Sequence, residues 1–399
     1  LWACLDETPS RGRFLHNRFV INEERLVALF RDLCMIDAPP LAERESVRFT
    51  RSYLEKLGLE VFEDDAGARI GGNANNLVAT LKGNKAGAPR VFLSAHFDTV
   101  EPTAGLVIEE RDGVFRSASD TILGADDKAG MAPAIEAVHA LIESGEAHGD
   151  VVLLLTVAEE IGLKGAAALD IQSLDLDFGY VLDTGPPVGS FVNRTATHDK
   201  IDFIVRGRPA HAGKDPEKGI NAIEVAADAI SRIKSGRVDE ETTANFGLIE
   251  GGSAVNVVCP SVTIKAEARS TSVEKLDAQV AHMIAEFERA AREWNTTVEI
   301  DHRRHYTAYQ VPEDSPVVQV GRTASRALGF DPTLRTTLGG SDANVFNAKG
   351  VESIVLATGM DMIHTHDEVV SRKDLVDTAR LAYQIILEAA RIGKGSQAT

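Results

Sequence analysis

Along the chain the spacing of apolar positions switches repeatedly between the period of a helix and that of a strand. After Asn22, a residue type that caps helices, Leu26, Leu29 and Phe30 form an apolar stripe behind Glu23 and Glu24, and Pro39-Pro40 ends the run. A second helix is predicted near 43–57, where Val47, Tyr53 and Leu54 keep helical spacing. Strands are predicted over 59–63, 76–82 and 91–94, a helix over 128–144, then strands over 151–157 and 179–183. The near-continuous apolar run 151–157 marks a strand covered on both faces, and its alternation with helices predicts an α/β unit.

After Pro186-Pro187 the pattern changes. A strand over 201–205, a helix over 221–235, strands over 245–249 and 262–269, a long amphipathic helix over 273–294 and a strand over 297–301 follow in turn. That order, β-α-β-β-α-β, is the split arrangement of ferredoxin-like domains. Helix 315–328 and strand 353–357 then resume the earlier pattern, so the α+β block reads as an insertion. The expected domains are 22–192 with 308–399, interrupted by 193–307, after a loosely held extension over 1–21. That extension does not start with Met, and its apolar run is too short and too interrupted for a secretory signal.

A chain of 399 residues exceeds one ordinary core, in keeping with two domains. With 44% hydrophobic and 26% charged residues it has the composition of a globular protein, and no apolar run is long enough for a bilayer. The formal charge of −18 argues against nucleic acid, which selects basic stripes. Cys4, Cys34 and Cys259 lie far apart, which excludes a cysteine-only zinc site and suits a reducing, cytoplasmic compartment.

The candidate chemistry sits where strands end. His96-Phe97-Asp98 follows the run 91–94, and alternation along a strand would point His96 and Asp98 the same way. Asp126-Asp127 precedes a helix, Glu159-Glu160 follows strand 151–157, Asp183 closes strand 179–183, and His364-Thr365-His366-Asp367-Glu368 follows strand 353–357. Singly these have plain readings: a histidine satisfied by a nearby acid, Asp126 as an N-cap, Glu159-Glu160 as a solvated helix start, His364 or His366 as a loop histidine. Together they are hard to explain as packing, because carboxylates beside buried strands are costly unless paired or on a cation. In open α/β sheets, sites gather outside the carboxyl ends of strands. Oxygen and nitrogen ligands without cysteine suit zinc, cobalt or manganese, and two histidines with three carboxylates suffice for two ions sharing a carboxylate.

These motifs resemble those of the M20 family of dinuclear zinc peptidases, in particular its peptidase T-like, tripeptide aminopeptidase branch, over nearly the whole chain from Asn22. The resemblance implies a mixed-sheet α/β catalytic domain with the inserted ferredoxin-like segment as a lid that makes a homodimer. It implies two divalent metal ions, zinc first, with His96 and Asp183 on one, Glu160 and His364 on the other, and Asp126 bridging. The choice of His364 over His366 follows the family's spacing of histidine, two residues, acid, then Glu368. Glu159 corresponds to the general base, Asp98 to the carboxylate orienting His96, and Asp126-Asp127 to a cis peptide bond. In the lid, His211, Asn256 and Arg269 correspond to substrate-binding positions, as does Gly340 in a glycine-rich loop outside it; a guanidinium at 269 could hold a peptide carboxylate bidentately. The implied reaction is removal of the N-terminal residue of tripeptides. The alternative within the family is a carboxypeptidase, dipeptidase or N-acyl-amino-acid deacylase, and a peptide binder that kept the fold would usually have lost a ligand or the base.

Overall fold

The structure, a computed structural model, describes residues 20–393, so most of the extension expected over 1–21 lies outside the described residues. The chain packs as two units: one formed by residues up to Phe191 with Glu313–Leu334 and Val351 onward, the other by Val192–Pro312 with Arg335–Gly350.

The first unit is built on a mixed sheet. Six of its strands run in the order Glu60–Glu63, Leu77–Leu81, Val151–Thr156, Val91–His96, Phe178–Thr184, Ser353–Ala357. The first two pairings are antiparallel, and the last four strands are mutually parallel, so their carboxyl ends share one edge. The strands Val91–His96 and Val151–Thr156 are buried at every position, as their apolar composition requires for a sheet covered on both faces.

Helix Glu23–Cys34 starts as predicted, with the Asn22 side chain accepting the Arg25 N–H. The helix read from Lys128 is continuous to Ser144, although Asp126 and Asp127 ahead of it have non-helical backbone. Its small residues let it lie close against the sheet: a Cβ on Gly130 would come 2.0 Å from the Leu182 main-chain oxygen. That close approach brings Asp126 and Asp127 to the end of the strand carrying Asp183. Among the described residues no helix is long and apolar enough to cross a membrane.

A hairpin and the last helix are among the elements of this unit that stand outside those predicted above. The hairpin, Ile108–Arg111 with Val114–Ser117, turns at Asp112-Gly113 and pairs with Val369–Ser371; its polar pattern hides it, although the Asp-Gly pair marks the turn. The last helix, Arg372–Ala389, buries Leu375, Ala379, Leu381, Ala382, Ile385 and Ile386.

The second unit has the predicted β-α-β-β-α-β order: Thr197–Arg206, helix Ala222–Ser231, Thr242–Gly251, Ser261–Ser270, helix Val273–Glu293 and Val298–Tyr306. Its sheet is antiparallel, with the two-residue strand Gly236–Arg237 against one end of Thr242–Gly251. The helices cover one face, where Phe203 stacks on Phe287 at 3.9 Å. The strand read as 297–301 extends to Tyr306 because its charged end pairs across the sheet: Arg303 reaches Asp202 at 2.7 Å, and Arg304 reaches Asp199 at 2.9 Å.

Candidate active site

Strand Val91–His96 ends at His96, so Asp98 is not on it and strand alternation does not govern the pair. The chain turns instead, and His96 Nδ1 meets the main-chain oxygen of Asp98 at 3.0 Å and its Oδ1 at 3.5 Å. The main-chain oxygen makes the hydrogen bond, and the carboxylate acts on the ring mainly through its charge. The buried Asp98 carboxylate is otherwise engaged: Oδ1 accepts the Glu159 N–H at 2.9 Å and Oδ2 the Glu160 N–H at 3.0 Å. Burial works to raise this carboxyl, but His96 and the two amides outweigh it and hold it below its ordinary value.

Asp126 caps no helix. Its own N–H donates to Glu368 Oε1 at 2.9 Å, and the Gly124 N–H donates to Glu368 Oε2 at 2.7 Å. The Asp126 carboxylate lies between two imidazoles, Oδ1 being 3.1 Å from His96 Nε2 and Oδ2 3.1 Å from His364 Nε2. His364 Nε2 is also 3.1 Å from Glu160 Oε1. The Asp126-Asp127 peptide bond is cis. Asp127 is fully buried: Oδ2 accepts the His96 N–H at 3.3 Å, and Oδ1 has no hydrogen-bond partner among the described residues.

Ligand atoms of His96, Asp126 and Glu160 lie within 4.8 Å of one another, as do those of His96, Asp127 and Asp183. Asp127 thus joins His96 at the corner of the site that holds Asp183. His366 stands apart, with Nε2 3.5 Å from Glu101 and Nδ1 3.4 Å from Asp120, all exposed.

The electrostatics describe a cluster short of positive charge. Burial and the charges of Asp126 and Asp127 push the Asp183 carboxyl well up, and burial with the Asp126 charge does the same to Asp127. His364 is raised to about 10 by its hydrogen bonds to Asp126 and Glu160. Burial opposes the charge on His96, yet Asp126 and Asp98 still raise it. Both imidazoles are thus pushed towards the protonated form, because the carboxylates around them demand cations. Divalent ions meet the same demand and use the same nitrogen lone pairs, and the orphaned Asp127 oxygen offers one more donor. The residues therefore fit a pair of oxygen- and nitrogen-ligated divalent ions.

Four residues in the site carry no role in the sequence reading. Lys128 is fully buried, donates to the Phe97 main-chain oxygen and has its ammonium pushed down by burial. Glu368, raised to about 7 by burial, anchors the amides at 124 and 126. Asp127, Lys128 and Glu368 adjoin motif residues, which is the only sequence signal they offer. Glu43, read only as a helix start, is buried and accepts the Ala158 N–H at 2.9 Å.

The remaining candidates lie in the second unit. His211 and Asn256 are exposed on two segments joined by backbone bonds, Ala212 N–H to Asn256 O and Val258 N–H to Ala210 O, each at 3.0 Å. Arg269 has its fork occupied by Glu267, at 3.2 Å from Nε and 3.1 Å from the second guanidinium nitrogen, leaving the third to face Leu338 O at 3.3 Å. Glu267 is held at about 2, first by His198, whose Nε2 lies 3.0 Å from its carboxylate. Gly340 packs on Tyr306 so tightly that an added Cβ would lie 2.2 Å from the ring.

A sequence model of Peptidase family M20/M25/M40 matches residues 92–388. The chain is similar to the aminopeptidase PepT of Bacillus cereus ATCC 10987, whose crystal structure superposes with a TM-score of 0.85 at 42% identity over 93% of this chain and 100% of that one. It is also similar to a tripeptidase of Staphylococcus aureus Mu50, with a TM-score of 0.89 at 37% identity over 94% and 100% of the two chains. YqjE of Bacillus subtilis strain 168 is 40% identical over 93% of this chain and 100% of its own.

Proposed function

The chain belongs to peptidase family M20/M25/M40 and is a peptide hydrolase, and on that premise we propose that it is a two-metal aminopeptidase removing the N-terminal residue of tripeptides. The observation that carries the proposal is the Asp126 carboxylate between His96 and His364, with Glu160 against His364 and the neighbouring Glu159 fastened by its main chain to Asp98. The similarity to an aminopeptidase and a tripeptidase supports the choice of substrate.

His96 and Asp183 would hold one ion, Glu160 and His364 the other, and Asp126 both; zinc is the proposed occupant, with cobalt or manganese able to use the same donors. Bound there, the ions supply Lewis-acid polarisation of the scissile carbonyl and acidification of water. Glu159 takes a proton from the attacking water and returns it to the leaving amine as the C–N bond breaks. Asp98 orients His96 through charge and fixes the turn carrying Glu159 and Glu160 through its two amide bonds. In the second unit, His211, Asn256, Arg269 and Gly340 are the proposed substrate-binding positions. With Glu267 in the Arg269 fork and the third guanidinium nitrogen on Leu338 O and the Tyr306 hydroxyl, a substrate oxygen would bind Arg269 by replacing one of these partners.

Two further parts of the proposal rest on surface and composition. A homodimer through the second unit is supported by strand Thr242–Gly251, which exposes Leu248 and Ile249 and whose edge away from Ser261–Ser270 carries, among the described residues, only the short Gly236–Arg237. A cytoplasmic setting is supported by Cys34 and Cys259, buried thiols that form no disulfide among the described residues.

The test is a panel of free and N-acetylated tripeptides with the metal-loaded enzyme and its Glu159→Ala variant. Cleavage of free tripeptides by the parent, and a variant that keeps its metal but loses turnover by ~10²- to 10⁴-fold, are the expected results. Cleavage of only the blocked peptides would overturn the aminopeptidase assignment.

A further inference from the structure

Four successive amides of the turn that carries Glu159 are held by side chains rather than by a neighbouring strand. The Val157 N–H donates to Asn76 at 3.1 Å, Ala158 to Glu43 at 2.9 Å, Glu159 to Asp98 at 2.9 Å and Glu160 to Asp98 at 3.0 Å. Asp98 belongs to the chemistry described above, and Glu43 does not. It lies just ahead of helix Arg44–Lys56, where its side chain makes no capping bond to the helix. One oxygen, Oε1, accepts both the Ala158 N–H and the Leu41 N–H, the latter at 3.0 Å. The other, Oε2, is buried with no hydrogen-bond partner among the described residues. A carboxylate with no exposed surface is a costly way to satisfy two amides unless the geometry it imposes is needed.

The two donors share a peculiarity. Ala158 has φ +53° and Leu41 has φ +70°, the left-handed region that residues with side chains rarely adopt. Glu43 therefore ties two unfavourable backbone conformations to one oxygen, and the one at Ala158 sets the direction in which the chain leaves strand Val151–Thr156 and presents Glu159. A general base must lie within hydrogen-bond reach of the proton it takes, so a small rotation at Ala158 moves the Glu159 carboxylate off its line.

We propose that Glu43 is a positioning residue for peptide-bond hydrolysis: through Oε1 it holds Ala158 in its left-handed conformation and so aims Glu159. This rests on Glu159 being the base. The role belongs to the acceptor oxygen, because a glutamine side chain at this position would present a carbonyl oxygen to the same two amides.

Glu43→Ala, Glu43→Gln and Glu43→Asp are compared with the parent and with Glu159→Ala, each metal-loaded. Glu43→Ala is expected to lower kcat by about 10- to 100-fold with KM and metal content unchanged. Amide hydrogen exchange in the peptide spanning 157–163 should accelerate in the same variant. Glu43→Gln should restore kcat to within about threefold of the parent and restore protection, while Glu43→Asp, whose shorter arm withdraws the oxygen, should resemble the alanine variant. If Glu43→Ala does not fold, the Gln and Asp variants decide the matter: a full-rate Asp variant or a slow Gln variant overturns the proposal. So does a Glu43→Ala protein with parental kcat or unchanged exchange. An active Glu159→Ala enzyme would instead remove the reading on which the inference rests, whereas an inactive one beside a full-rate Glu43→Ala removes the inference alone.

Discussion

Oδ1 of Asp98 accepts the main-chain N–H of Glu159 at 2.9 Å, while Oδ2 takes that of Glu160 at 3.0 Å. One carboxylate thus fixes the proposed base and a proposed ligand together. Asp98→Asn leaves one acceptor for two buried amides, and an unpaired buried donor costs ~1–3 kcal/mol. The variant should bind metal ~10- to 100-fold more weakly and lose turnover with it, read by chelator competition and steady-state kinetics. Loss of turnover with parental metal affinity would contradict the double role.

The two histidines of the 364–366 segment should behave differently. His364 faces Asp126 and Glu160, both at 3.1 Å, whereas among the described residues His366 makes exposed contacts with Glu101 and Asp120. Exposed pairs of that kind contribute about 0–1 kcal/mol, so His366→Ala should keep the metal content and rate of the parent. His364→Ala should lose metal and activity, measured by elemental analysis after dialysis. The opposite pattern would move the ligand to His366.

Metal loading should release protons. In the metal-free protein His364 is raised from 6.5 to about 10 by Asp126 and Glu160. Its folded-state value being the higher one, the associated stability is whole below about 6.5 and is lost as pH rises towards about 10. The melting temperature of chelator-treated protein should therefore fall across that window, and less so in His364→Ala. A bound ion needs the imidazole neutral, so metal affinity should climb with pH over the same range. Calorimetry in buffers of differing ionisation enthalpy reads the protons released; none at about pH 7.5 would refute the linkage.

Gly340 is set by contact rather than by turn geometry, since an added Cβ would come 2.2 Å from Tyr306 Cζ. Gly340→Ala should destabilise by ~1–3 kcal/mol, the usual cost of overpacking. In a Tyr306→Ala background the same change should cost much less, because the ring is gone. Denaturant titration of the four proteins closes the cycle, and an equal cost in both backgrounds would exclude the contact as the cause.

The elements built on local periodicity are legible in the sequence. The strand over 151–157 and the helix from Lys128 follow from runs of apolar side chains, and Asn22 caps its helix through the bond its type implies. Boundaries shift where charge pairing across strands takes over, as at Arg303 and Arg304, because the partner is invisible until the sheet forms. The hairpin at Asp112-Gly113 goes unread because its residues are mostly polar, so hydrophobic period carries no signal there.

The candidate site divides in the same way. The residue types at His96, Asp126, Glu159-Glu160, Asp183 and His364 are readable from sequence, since ionisable groups beside apolar strands stand out against the cost of burying them. What those groups touch is decided only by the tertiary structure. Four parallel strands bring their carboxyl ends to one edge, and His364 then meets Asp126 from 238 positions away. Strand alternation suggests a shared face for His96 and Asp98, but the strand stops at His96 and a turn makes the contact instead. Glu43 reads as an ordinary helix start, and its carboxylate finds Ala158 at a separation of 115 residues. Hydrophobic period is a local property that the chain carries in itself; the partners of buried charges are set by non-local packing, and only the folded chain brings them within reach.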